Sequence, residues 1–177
     1  LTRKVVFLRP LGLRLCYEAV QAEAGTQPHR IYLSPKGSVL TQQRALELAA
    51  MPHLFLLCGH YEGVDQRILD TIIDEEISIG DYVLTGGELP AMVPIDTVAR
   101  MLPGVLPESL CFEDESHFNG LLEYPQYTRP AVWHEQEVPP VLLTGHHKNI
   151  AEWRLAQSLE VTKTHRPDLY DCYLDKK

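Results

Sequence analysis

The four cysteines, Cys16, Cys58, Cys111 and Cys172, stand far apart and form no C-x-x-C pair, which speaks against a zinc site or a disulfide framework and for ordinary thiols in a cytoplasmic protein. No apolar run approaches the roughly eighteen residues that a membrane span needs, so a soluble protein is expected. No G-x-G-x-x-G follows a strand pattern, which leaves a dinucleotide site unsupported. Internal repeats and low-complexity tracts are also missing. Residues 1–14 contain no acid, yet Arg3, Lys4, Arg9 and Arg14 interrupt every apolar stretch, so the segment does not read as a signal peptide. The chain opens on Leu1 where a methionine would stand, and a fragment or processed form is expected. Positive charge is in short supply. The formal net charge is −8, and nucleic-acid binding is driven by lysine and arginine.

What is present is globular. A chain of 177 residues with 45% hydrophobic and 23% charged residues is one domain, or one domain with a small appendage, and buries a real core. The charge is unevenly spread. Thirteen acids face only Arg67 and Arg100 between Glu62 and Glu115, whereas Lys148, Arg154, Lys163 and Arg166 outnumber Glu152 and Glu160 between Gly145 and Arg166. Any nucleic-acid contact is therefore expected to be local and dependent on shape.

The hydrophobic pattern predicts helix over 17–23, a short strand over 30–33 ended by Ser34-Pro35-Lys36-Gly37, an amphipathic helix over 41–51, and a fully buried parallel strand over 54–58. A short helix over 65–71, a strand edge over 72–77 and a strand at Val83-Leu84 follow. Apolar residues Leu89, Met92, Ile95, Val98 and Leu102 recur at helical spacing and predict one buried face, with a kink or 3₁₀ turn at Pro94. Residues 103–138 are turn-rich and acidic. After them 139–145 read as a strand, and Asn149 with Glu152 reads as a capping box opening a helix. Alternating helices and strands predict an α/β domain with a parallel sheet.

Asp74 to Met92 is the most informative stretch. Ile79 to Leu84 reads as an extended turn, Thr85-Gly86-Gly87 permits close backbone approach, and Glu88-Leu89-Pro90 opens a helix with a carboxylate and a proline. Gly59, Gly80 and Gly86 each follow an apolar strand candidate, and ligands of parallel sheets bind at such strand ends. Glycines that merely close turns account for the same pattern.

This stretch, with Cys58-Gly59-His60-Tyr61-Glu62-Gly63-Val64-Asp65-Gln66-Arg67 before it and Gly120-Leu121-Leu122-Glu123-Tyr124-Pro125-Gln126-Tyr127-Thr128-Arg129-Pro130 after it, resembles the bacterial tRNA (guanine-N1)-methyltransferases from about Tyr17 to Arg166. The resemblance implies a SPOUT-type trefoil knot, which no residue pattern predicts, since knots are rare exceptions to ordinary chain threading. It implies S-adenosylmethionine as methyl donor, its adenine enclosed by the loop at Ser78, Ile79, Gly80, Asp81, Tyr82, Val83 and Leu84, with Tyr32, Leu33, Gly59, Glu62 and Gly86 as further contacts. It admits magnesium, for which the residues offer no ligand cluster.

The implied reaction is methyl transfer to N1 of the guanosine on the 3′ side of the anticodon in tRNA. Removing the N1 proton needs a base while charge growing on O6 needs a donor. Arg100, on an otherwise apolar helix, matches the family's catalytic arginine; alone it reads as a cation favourable to a helix C-terminus. The family's aspartate precedes a serine. Here Glu115 holds that place before Ser116-His117, and Asp114 lies one residue earlier, so the base is open between them; alone, three adjacent acids read as a solvated loop. Tyr124, Tyr127 and Trp133 suit stacking on an unpaired base or packing at a subunit interface. The resemblance further implies an antiparallel homodimer with three parts: residues 1–106 binding cofactor, 107–137 linking, and 138–177 a small helical RNA-binding region. Relatives carry an opening strand and a glycine-rich loop not found before Tyr17, and losing a core strand would uncover a sheet edge. Two rivals follow: a truncated, catalytically incompetent binding protein of the same fold, and an unrelated nucleotide-binding domain, against which the missing phosphate motifs argue.

Overall fold

The computed structural model describes residues 10–59, 63–106 and 115–176. The chain falls into two compact units, residues 1–106 and 107–177. In the first, β1 (His29–Val39), β2 (Leu54–Cys58) and β3 (Glu75–Ser78) form a parallel sheet in the order β2-β1-β3. Four helices alternate with them, α1 (Pro10–Ala24), α2 (Gln42–Ala49), α3 (Gln66–Ile72) and α4 (Glu88–Ala99). The expected α/β class with a parallel sheet is what the chain adopts.

Strand pleating decides which helices cover which face. Ile31 and Leu33 of β1 and Ile77 of β3 pack with Ala45 and Leu48 of α2 and Ala91 and Val98 of α4. Phe55, between Leu54 and Leu56, turns the other way and joins Tyr17 of α1 with Ile68 and Ile72 of α3; the Tyr17 ring meets it edge-on at 5.4 Å between centroids. Both sheet faces are thus covered, which is why β2 is apolar without alternation. It is only half-buried along its length, not fully buried as expected; it is one of the two edge strands among the described residues.

Local signals place the helices. Thr41 caps α2 by accepting from the Arg44 N–H at 3.2 Å, and Asp65 caps α3 by accepting from the Arg67 N–H at 3.0 Å, each cap contributing about 1 kcal/mol. The Arg67 guanidinium holds the Asp65 carboxyl down at about 2. An ionic clamp ties β3 to β1. Asp74 accepts from the Arg30 backbone N–H and Nε, both at 2.8 Å, and from Nη2, while its own N–H donates to the Arg30 carbonyl.

In the second unit, β4 (Val132–Trp133) and β5 (Gln136–Glu137) pair antiparallel, followed by α5 (Pro140–Leu143), α6 (His147–His165) and α7 (Pro167–Asp175). Thr162, fully buried on α6, accepts from the Leu122 N–H at 2.8 Å and donates to the Ser158 carbonyl at 2.6 Å. Part of the stretch read from sequence as a linker is therefore fastened to α6.

Several sequence expectations are corrected. The strand does not end at Leu33: β1 continues to Val39, but Leu33 and Ser38 both stand opposite Ile77, so the four residues between them are extruded from the β3 ladder. Val83-Leu84 is not a strand; both side chains are exposed in a loop. Ile72 ends α3 instead of opening β3. α4 runs as one α-helix through Pro94 and buries Ala91, Pro94 and Val98, leaving Leu89, Met92, Val93 and Ile95 exposed; an almost wholly apolar helix gives periodicity no face to choose. Residues 140–143 are helical, Pro140 being pre-set for a first helical turn. α6 starts at His147 with His146 as its cap, so Asn149 lies inside the first turn.

Arg30 hydrogen bonds hold the Asp74 carboxyl below its ordinary range against the opposing effect of burial. A depressed carboxyl stabilises the fold above its unfolded pKa near 3.9, and that contribution is lost as pH falls through the folded value. Arg30→Met should therefore destabilise the chain by about 2 kcal/mol at pH 7 in urea denaturation, with the difference from wild type shrinking below pH 4. A pH-independent difference would assign the loss to packing.

Candidate functional site

All three strands of the first unit contribute to one cleft of about 230 Å³. β1 brings Tyr32 to Pro35, Gly59 follows β2, and Ile77 to Ile79 close β3, while the loop Tyr82–Gly87 and Pro90 of α4 form the remaining wall. This is where parallel sheets bind ligands. Ser34 and Pro35 reach the wall because they belong to the segment extruded between Leu33 and Ser38.

Backbone contact shapes the cleft. The Gly87 N–H donates to the Gly59 carbonyl at 2.7 Å, and a Cβ on Gly87 would lie 2.7 Å from both Cys58 Cα and Gly59 N. Only glycine lets α4 start there. Gly80 has φ +146, which side-chain-bearing residues rarely adopt, and a Cβ on it would sit 2.6 Å from the Tyr82 ring. Ser78 Oγ fixes this turn by accepting from the Gly80 N–H at 3.1 Å and donating to its carbonyl at 3.0 Å. The Tyr82 hydroxyl donates to the Ile79 carbonyl at 3.3 Å.

No charged side chain lines the cleft among the described residues. Phosphate cradles use cations or a run of amides at a helix start, so a neutral, flat group fits this wall better. Burial pushes the Tyr32 phenol up, with the Glu76 carboxylate adding to it. Cys58 behaves likewise, raised by burial and then by Glu88, which keeps its thiol protonated and unreactive. No cluster of three histidine, cysteine or carboxylate groups suited to a metal ion occurs among the described residues.

Of the cofactor contacts implied by sequence, Tyr32, Leu33, Gly59, Ser78, Ile79, Tyr82, Val83, Leu84 and Gly86 line this one cleft. Gly80 and Asp81 belong to the same loop but do not line it, and Glu62 lies outside the described residues. Arg100 is the C-terminal cap of α4 and is not on the cleft wall. Glu115 lines a separate cavity of the second unit with Arg154, His147 and Tyr173; Asp114 lies outside the described residues. The implied contacts did not include Ser34, Pro35, Gly63, Ile77, Thr85, Gly87 and Pro90, which also form the wall. The first two belong to the segment extruded between Leu33 and Ser38 within β1, which no local pattern signals.

A profile of the family described as tRNA (Guanine-1)-methyltransferase TrmD matches residues 7–172. The chain belongs to this family. It is 63% identical over 155 residues to the tRNA (guanine-N(1)-)-methyltransferase of Ruminiclostridium cellulolyticum, covering 88% of this chain and 66% of the relative. Proteins of the same name from Lachnospira eligens and Alkaliphilus oremlandii are 55% and 54% identical, with 91% and 96% of this chain and 68% and 71% of the relatives covered. The chain thus spans about two thirds of the length of these methyltransferases.

Gly87→Ala should lose about 1–3 kcal/mol of stability by overpacking, because the new methyl meets backbone, which has little freedom to yield. Gly12→Ala, whose added Cβ meets nothing within 4 Å, is the control and should be neutral or stabilising in the same denaturation series. Equal behaviour of the two variants would remove the close approach as a constraint.

Proposed function

We propose that the chain carries out S-adenosylmethionine-dependent methyl transfer to N1 of the guanosine 3′ to the anticodon in tRNA. The convergence of nine implied cofactor contacts on one uncharged cleft carries this reading. The wall suits the donor: two tyrosines, Tyr32 and Tyr82, stand with Ile79 and the segment from Val83 to Gly87 around space for a flat base. When bound, the cofactor supplies an electrophilic methyl group. Everything else falls to the chain's own residues.

Arg100 holds the charge that develops on guanine O6, its guanidinium being permanently charged and rich in directed donors. Glu115, or Asp114, takes the N1 proton. α4 rises 1.5 Å per residue, so Arg100 lies roughly 15 Å along the axis from Pro90 at the cleft wall, and it does not line that cleft. A second copy resolves the mismatch. In a homodimer, Arg100 and the base of one copy serve the cleft of the other, and the exposed Leu89, Met92, Val93 and Ile95 of α4 supply an apolar surface to bury between copies. The same reading includes the SPOUT-type knot in the first unit, RNA binding by the second, and a cytoplasmic setting where tRNA is modified. No described helix is long and apolar enough to cross a membrane.

Labelled donor incubated with a tRNA transcript bearing that guanosine should yield N1-methylguanosine, and a transcript with adenosine there should yield none; no transfer to either refutes the proposal. Arg100→Ala should leave cofactor affinity nearly intact while lowering methyl transfer by roughly 10²–10³-fold. Parallel loss of both would make Arg100 a binding or structural residue. Glu115→Gln and Asp114→Asn, followed in single turnover across pH, should separate the two candidate bases: the true base loses the rising acidic limb and most of the rate. If both variants keep that limb, proton removal lies elsewhere.

A further inference from the structure

The second unit holds a larger cavity, about 920 Å³, whose walls include Tyr124, Tyr127, Arg129, Trp153 and Arg154 and no acidic residue. In a chain of net charge −8, that composition is unusual. Arg14, Arg30, Arg44, Arg67 and Arg166 each hold a carboxylate. Arg129 and Arg154 hold none among the described residues. The Arg154 guanidinium is half-buried and lies 4.7 Å above the Tyr124 ring. Its Nε is buried without a hydrogen-bond partner, and among the described residues its terminal nitrogens have no acceptor.

Such an arginine is fixed in place yet unsatisfied. Stacking on tyrosine sets the plane of the fork and costs little of its charge, while desolvation strengthens any acceptor it finds. The missing acceptor is anionic, because the wall supplies two cations and no anion. It is attached to something flat, because Tyr127 and Trp153 stand 6.2 Å apart and tilted at 57° beside it. Arg154 and Tyr124 also line the adjoining cavity that contains Glu115. Whatever sits against Arg154 is therefore the neighbour of whatever Glu115 acts on.

We propose that this cavity seats one nucleotide of a single-stranded RNA loop, Arg154 donating to its phosphate and the aromatic rings stacking its base. The inference rests on tRNA being the substrate and assigns a second point of attachment, beside the target guanosine, to the second unit. Single-stranded RNA is held in this way, by a local cation and sequence-tolerant stacking. It also accounts for RNA binding by an acidic chain, since the attraction is focused on one site.

The test is binding of the full chain to a fluorescent anticodon stem-loop RNA across a salt series, with cofactor affinity measured alongside. Arg154→Ala should weaken RNA binding about tenfold or more and reduce the slope of log affinity against log salt by roughly 0.7 to 1, the value for one phosphate contact. Arg154→Lys should keep the slope and recover part of the affinity. The exposed Arg129→Ala should weaken binding and leave the fold untouched, so a misfolded Arg154→Ala does not end the test. Cofactor affinity should not change. RNA binding by Arg154→Ala and Arg129→Ala equal to wild type would overturn the inference, as would a loss at Arg154 with an unchanged salt slope. A loss confined to probes containing guanosine would make Arg154 a base reader and overturn the phosphate contact. Wild-type chain that binds no RNA would instead sink the tRNA reading itself.

Discussion

The first unit depends on one close approach of backbone to backbone. The Gly87 N–H reaches the Gly59 carbonyl at 2.7 Å, and there is no room for a Cβ between α4 and the end of β2. That contact starts α4 beside the carboxyl ends of the strands and lets Ala91, Pro94 and Val98 fall onto the core side. It also draws the loop Tyr82–Gly86 over the strand ends, where it becomes a wall of the cleft. A side chain at position 87 would push the helix away and open the site. Hydrophobic burial supplies the bulk of the stability, but this steric condition determines the shape.

Charge divides the labour between the units. The cleft has no charged wall among the described residues, and nearby carboxylates are used structurally: Asp74 on Arg30, and Glu75 between Arg44 at 2.6 Å and His29 at 2.7 Å. In the second unit the balance reverses around one cavity, where Arg129 and Arg154 pair with no carboxylate among the described residues. On the proposed reading, the uncharged cleft of one unit takes a nucleoside cofactor and the cationic, aromatic cavity of the other takes RNA. On the same reading, one copy's Arg100 serves the other copy's cleft, and dimerisation becomes part of the chemistry.

Much of this was legible in the residues, for reasons that can be stated. Thr41 and Asp65 announce helix starts because their side chains satisfy backbone donors, and the Leu54–Cys58 run announces a strand covered on both faces. Nine of the implied cofactor contacts, Gly59 and Gly86 among them, line one cleft. What stayed hidden is long-range. The extrusion of 34–37 depends on Leu33 and Ser38 sharing Ile77 as a partner, which no local pattern encodes. α4 concealed its buried face because nearly all its faces are apolar. Pro139-Pro140-Val141-Leu142-Leu143 has strand composition, and only its position outside any sheet and its proline start favour a helical turn. The Arg154–Tyr124 stack joins residues thirty positions apart and could not be read from either neighbourhood.

Complementation between two inactive variants tests the central claim, that one copy's cleft is served by another copy's Arg100. Gly80→Val disables the cleft and leaves Arg100; Arg100→Ala disables the arginine and leaves the cleft. When the two chains are unfolded together and refolded at equal amounts, half of the dimers are mixed and each has one complete site, so methyl transfer should return to about a quarter of the wild-type rate. A mixture that stays as inactive as its components, while mixed dimers form, would contradict the account and place cleft and arginine in the same copy's site.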